Sequence, residues 1–127
     1  MSVISLDHLV LRVSSPKAAI DFYTRVLGMH LETFGDGRFA LHFGDQKINL
    51  HGPNDEILPQ ARHPKSGSAD LCFIVDQSPG DLIRHLEGTG VDVELGPVRR
   101  TGANGALMSI YVRDPDGNLI ELSSYID

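Results

Sequence analysis

The chain has 127 residues, with 11 Lys and Arg against 17 Asp and Glu for a formal net charge of −6, 41% hydrophobic residues and a single cysteine. That length makes one ordinary domain or two very small ones and buries roughly two thirds of the unfolded surface, so no disulfide is needed to hold a core. One cysteine excludes an intrachain disulfide and fits a reducing compartment, and the acidic balance excludes a general nucleic-acid binder, which carries a basic patch or stripe.

The first predicted element is a strand over Leu6–Val13. Side chains alternate along a strand, so Leu9, Leu11 and Val13 share an apolar face while His8, Val10 and Arg12 share a mixed one. A helix follows. Ser15 caps it, Pro16 suits its first turn, and Ala19, Phe22, Tyr23, Val26 and Leu27 recur at helical spacing. Gly28 is placed to end it. Three short strands are expected at about 29–34, 38–43 and 47–51, separated by the turn residues Gly35-Asp36-Gly37 and Gly44-Asp45.

The order then repeats. Ser68–Val75 is a second extended run, Ser78-Pro79 opens a second helix with the stripe Leu82, Ile83 and Leu86, and Gly88 and Gly90 punctuate its end. Strands are expected at about 91–95, 107–113 and 118–124, with a flexible basic loop through Arg99, Arg100, Thr101 and the glycine-rich 102–105 stretch. Leu9 falls on Leu71, Val13 on Val75, Gly28 on Gly90 and His8 on Asp70 at a constant offset of 62 residues. The chain therefore has the pattern of a duplicated strand–helix–three-strand unit, with module one over about 1–62 and module two over about 63–127. Each half is small for a core of its own, which predicts a single domain over 1–127. The polar, proline-containing stretch from Gly52 to Gly67 is long for a compact domain and is expected to be a connector or a functional rim.

No run of about 18 apolar residues is present, which argues against a membrane span, and the first eight residues lack a basic segment followed by an apolar one. A soluble cytoplasmic protein with neither nucleic acid nor membrane as partner is expected.

The segments Phe22-Tyr23-Thr24-Arg25-Val26-Leu27-Gly28, Arg113-Asp114-Pro115-Asp116-Gly117-Asn118-Leu119-Ile120-Glu121 and Leu6-Asp7-His8-Leu9 resemble three signatures of the vicinal oxygen chelate superfamily. This superfamily holds glyoxalase I, extradiol dioxygenases and bleomycin-binding proteins. The stretches Asn49-Leu50-His51, Gly67–Cys72 and Gly96–Gly102 are similar to a glyoxalase-domain subgroup without a settled substrate. The resemblance implies an α+β fold of two βαβββ modules, an open, cup-shaped mixed sheet with helices outside, and a homodimer.

It also implies a divalent metal held from four strand positions. His8 matches the first and Glu121 the last; Glu121 is also the candidate for moving a proton at substrate carbon. Asp70 stands where many members have histidine, and Asn49 where glyoxalase I has glutamate, with His51 as a substitute for Asn49. That oxygen-rich donor set leaves Mn, Ni, Zn, Fe or Mg open, and no metal as well. Tyr111 and Arg113 share a strand face, Arg12 shares that of His8, and Arg100 lies in the basic loop; these four are the expected substrate contacts. The Asp114–Asn118 stretch is a turn that positions Glu121, and Cys72 is a packed small residue. The expected function is a glyoxalase-like lyase or isomerase, similar to lactoylglutathione lyase, acting on a small oxygen-bearing ligand. An extradiol-type dioxygenase and a bleomycin-resistance-like binding protein are the alternatives.

Overall fold

A computed structural model describes residues 1–126, in two compact units, Met1–Gly67 and the described residues from Ser68 on. In the first, β1 (His8–Arg12) leads into α1 (Pro16–Asp21), whose last turn widens into a π-helix over Phe22–Val26. The strands β2 (His30–Phe34), β3 (Arg38–Phe43) and β4 (Gln46–His51) follow. Ser15 Oγ accepts from Ala18 N at 3.1 Å, and Pro16 sits at the first helical position. Both signals work as a helix start because one orphan donor is satisfied and another is absent. The π-turn lets the sequence neighbours Phe22 and Tyr23 both be buried, their rings edge-to-face at 5.1 Å. Gly28 closes the segment at φ 71°, where a side chain would be strained.

The first sheet has the order β1-β4-β3-β2, with β1 parallel to β4 and the other pairs antiparallel. Leu9 and Leu11 align with Ile48 and Leu50, and Leu50 and Ile48 with Phe39 and Leu41. This continuous apolar face includes Leu11, Leu41, Ile48 and Leu50, each 4% exposed or less. Each such side chain contributes about 1.5–3 kcal/mol by leaving water.

The second unit repeats the plan. β5 (Asp70–Ile74) and α2 (Pro79–Gly88) are followed by β6 (Leu95–Gly102), β7 (Gly105–Arg113) and β8 (Leu119–Tyr125). The second sheet has the equivalent order, β5-β8-β7-β6. Ser78 Oγ caps α2 by accepting from Asp81 N at 3.2 Å. Ile110, Val112, Ile120 and Leu122 form the buried face. The units are thus two βαβββ modules with four-stranded mixed sheets, the α+β class expected.

Two expectations need correction. The stretch 91–94 is not a strand; β6 starts at Leu95 and runs on to Gly102. The supposed flexible loop is consequently part of a hairpin, in which Arg99, Arg100 and Thr101 pair with Met108, Leu107 and Ala106. The alternation Val91-Asp92-Val93-Glu94 mimics a strand, but its backbone joins the sheet through Glu94 N to Tyr111 O at 2.8 Å. A register shift between Leu95 and Val98 then starts the regular pairing late. Among the described residues no helix is long and apolar enough to cross a membrane.

Candidate functional site

On the first sheet, the face opposite the core carries His8, Val10 and Arg12 from β1, aligned with Lys47, Asn49 and His51 of β4. Ala40 and His42 of β3 align with Asn49 and Lys47, and Glu32 and His30 of β2 align with those in turn. His8 is exposed, and its Nδ1 lies 2.8 Å from the Asp7 carboxylate. A carboxylate on one ring nitrogen fixes the tautomer and orientation of an imidazole whose other nitrogen serves as a ligand.

Asn49 and His51 are 6% and 5% exposed, yet Asn49 Oδ1 and His51 Nε2 have no hydrogen-bond partner. His42 Nε2 is a third such atom; it lies 3.2 Å from Glu32 Oε1 without hydrogen-bond geometry. Buried polar atoms are normally satisfied, so orphans of this kind mark places where something else belongs. Burial, helped by the Arg12 and Arg38 charges and partly offset by Asp55, pushes the His51 pKa below its ordinary 6.5. The ring is neutral at pH 7.

Arg12 is already engaged. Its Nη1 donates to the carbonyls of Gly52 and Asp55, each at 2.6 Å, and its Nη2 to Gln60 Oε1 at 3.2 Å. Asp55 Oδ2 in turn accepts from Gly52 N at 2.8 Å. The guanidinium thus pins the stretch expected to be a connector or rim, and a cavity of about 630 Å³ opens beside it, lined in part by Arg12, Asp55, Gln60 and Lys65.

On the second sheet, Cys72, Glu121 and Tyr111 stand abreast on β5, β8 and β7. Glu121 is half-buried, and its Oε2 accepts from Ser109 Oγ at 2.7 Å and from Ser123 Oγ at 3.4 Å. The two serine hydroxyls are 2.7 Å apart, and Cys72 Sγ lies 3.4 Å from Ser123 Oγ. Partial desolvation raises the Cys72 pKa, with the Glu121 charge acting in the same sense, so the thiol stays protonated and is a poor nucleophile.

Tyr111 Oη accepts from Arg100 Nε at 3.0 Å, with the guanidinium carbon 5.5 Å from the ring centroid. Arg113 is spent on structure. It forks onto Glu94 at 2.9 and 3.0 Å and donates to Gly117 O at 3.1 Å. Those bonds lower the Glu94 pKa and raise that of Arg113. The Asp114–Asn118 turn ties the sheet together. Asp114 Oδ1 accepts from Asp116 N and Asn118 N, both at 2.9 Å, and Asn118 Oδ1 accepts from Ala69 N at 2.8 Å, just before β5.

The candidate donors fall into two equivalent pairs. His8 aligns with Lys47, two residues before Asn49, and Asp70 aligns with Leu119, two residues before Glu121. Among the described residues no three His, Cys, Asp or Glu side chains gather to hold an ion. Within each unit the donor types are ones that hard divalent cations accept: in the first an oriented imidazole and a buried amide oxygen without a partner, in the second two carboxylates, one of them fixed by hydroxyls. Ser109, Ser123, Asp7 and Arg38 escaped the sequence reading. The signal for the serines was their two-residue spacing from Tyr111 and Glu121 on the same strand faces.

Comparison with known proteins places the fold in a family. The profile of the Glyoxalase/Bleomycin resistance protein/Dioxygenase superfamily matches residues 5–122. Glyoxalase domain-containing protein RDO1 of Mycosarcoma maydis is 57% identical over 127 residues, covering 100% of this chain and 72% of that protein. Virulence protein STM3117 of Salmonella typhimurium is 51% identical over 126 residues, covering 99% of this chain and 88% of that protein. Its crystal structure matches with a TM-score of 0.97, over 99% of this chain and 100% of that one. More distantly, the crystal structure of lactoylglutathione lyase from Agrobacterium tumefaciens is 25% identical, with a TM-score of 0.73 over 97% of this chain and 95% of that one. Two like modules, shared signatures and a match over nearly the full length lead to one conclusion: the chain belongs to the glyoxalase/bleomycin resistance protein/dioxygenase superfamily.

Proposed function

We propose that this protein is a metal-dependent enzyme of the lyase or isomerase type, similar to lactoylglutathione lyase, acting on a small oxygen-bearing substrate in the cytoplasm. The observation that carries the reading is the Glu121 carboxylate, held by Ser109 and Ser123 beside the Tyr111–Arg100 pair. The donors are His8, Asp70 and Glu121, with Asn49 or His51 from β4 completing the set. A divalent ion held by these residues would supply Lewis acidity to a substrate carbonyl.

The chain's own groups do the rest. The hydroxyl bonds fix one carboxylate oxygen of Glu121, which orients the group to take a proton from a carbon next to a carbonyl and return it to the neighbouring carbon. The transfer is redox-neutral. Tyr111 Oη accepts from Arg100, which leaves its own O–H to donate to a substrate oxygen. We also propose a homodimer, since β1 and β5 are edge strands of their sheets, and exposed edges favour pairing.

The test is turnover of the hemithioacetal of a 2-oxoaldehyde and glutathione after loading with Mn²⁺, Ni²⁺ or Zn²⁺, by wild type, His8→Ala and Glu121→Gln. The reading predicts metal-dependent turnover that falls by about 100-fold or more in Glu121→Gln, the scale of general acid–base catalysis. Turnover unchanged by either substitution, or none with any metal, contradicts it.

A further inference from the structure

The open face of the first sheet is charged against the trend of the chain. On a protein of net charge −6, its strands place Arg12, Arg38 and Lys47 against Glu32, with Asp7 beside His8 and Asp55 only partly offsetting the arginine charges at His51. Arg38 borders Phe39, the partner of Leu50, so Arg38 and Arg12 flank His51 on the two neighbouring strands. The two arginines differ in availability. Arg12 is spent on the carbonyls of Gly52 and Asp55 and on Gln60. The Arg38 guanidinium lies 4.7 Å from the centroid of the Phe34 ring, on which Lys47 Nζ also rests at 4.5 Å. Stacking leaves the edge of the guanidinium free, and that edge carries its forked donors.

On the neighbouring strand β4, His51 Nε2 and Asn49 Oδ1 are buried without partners. The residues are two apart on β4, so their Cα atoms lie about 6.6 Å from each other. The flanking guanidiniums repel a cation at His51 and attract an anion.

We propose that Arg38 and His51 form a carboxylate-binding subsite, and that Asn49 Oδ1 accepts from a hydroxyl on the neighbouring carbon, so that the ligand is a small 2-hydroxy acid. One carboxylate oxygen takes the Arg38 fork and the other accepts from His51 Nε2–H. His51 is then a specificity residue, not an ion donor. This inference stands on the first unit alone, gives Asn49 and His51 to the ligand so that only His8, Asp70 and Glu121 are left as candidate ion donors, and deepens the proposed function without depending on a bound metal.

The experiment follows the His51 ring nitrogens by NMR in the full-length protein with chelator present, adding lactate in one titration and neutral dihydroxyacetone in another. Lactate is expected to shift the Nε2 resonance, to bind about tenfold or more tighter than dihydroxyacetone, and to lose that advantage in Arg38→Gln. His51→Phe, which removes the orphan atom, is expected to keep the melting temperature of the ligand-free protein while losing lactate binding. Equal affinity for the two probes, or no Nε2 shift with lactate, overturns the subsite. So does a lower melting temperature for ligand-free His51→Phe, which marks a structural role. In a chelator-free arm, an Nε2 shift produced by Zn²⁺ and not by lactate assigns His51 to an ion instead. Loss of metal-dependent turnover in Glu121→Gln is a separate readout, so the two proposals fail independently.

Discussion

At the scale of single residues, the chemistry lies in side chains whose neighbours have been chosen for them by register. Glu121 is legible in the sequence because strand alternation and a family signature both single it out. Ser109 and Ser123 are not, because a serine in a strand says nothing until pairing sets it beside a carboxylate. Arg38 is hidden for a similar reason: it opens the expected strand 38–43, and only pairing shows that it flanks His51. Arg12 and Arg113, both expected to meet substrate, bond in the structure to backbone carbonyls, Gln60 and Glu94. His51 yields a prediction about pH. Its folded-state pKa lies below 6.5 because of burial and the two arginine charges. Between the two values the unfolded chain binds more protons than the folded one, so stability rises with pH. The penalty is absent above about 6.5 and grows as the pH falls through that value toward the folded pKa. Melting in the presence of chelator is expected to show a decline from about pH 7 to about pH 5 that is shallower in His51→Gln than in wild type. Equal slopes in the two proteins rule out His51 as the source.

At the scale of elements, the helix starts and the first four strands follow from local signals. Ser15-Pro16 and Ser78-Pro79 satisfy or remove orphan donors, and the apolar alternation sets which strand face is buried. The start of β6 is the exception, and the reason is tertiary. Gly96, at φ 121°, passes so close to β7 that a Cβ would sit 2.5 Å from Ser109 O. Pairing is therefore displaced past the alternating stretch that looked like the strand. Gly96→Ala is expected to cost about 2–4 kcal/mol through overpacking and backbone strain, measured by denaturant unfolding. A change under about 0.5 kcal/mol contradicts the close approach. The stretch after β4 makes a second prediction. If Arg12 holds it, Arg12→Ala is expected to speed amide exchange across residues 52–60 while leaving the strands protected. Unchanged exchange there shows that the segment is held by other contacts.

At the scale of the whole molecule, duplication explains the most. A constant offset in the sequence becomes two sheets of equivalent order, and the donor pairs His8–Asn49 and Asp70–Glu121 occupy equivalent positions in them. The overall acidity proves to be unevenly distributed, with a cationic sheet face in the first unit that composition alone cannot reveal. The proposed function assigns a divalent ion to His8, Asp70 and Glu121. Elemental analysis of the protein after loading with Mn²⁺ and exhaustive desalting tests it most directly, on wild type, His8→Ala and Glu121→Gln in parallel. Retained manganese is expected in the wild type and loss in both variants, each with a melting temperature in chelator like that of the wild type. Manganese retained equally by all three proteins, or by none, contradicts it.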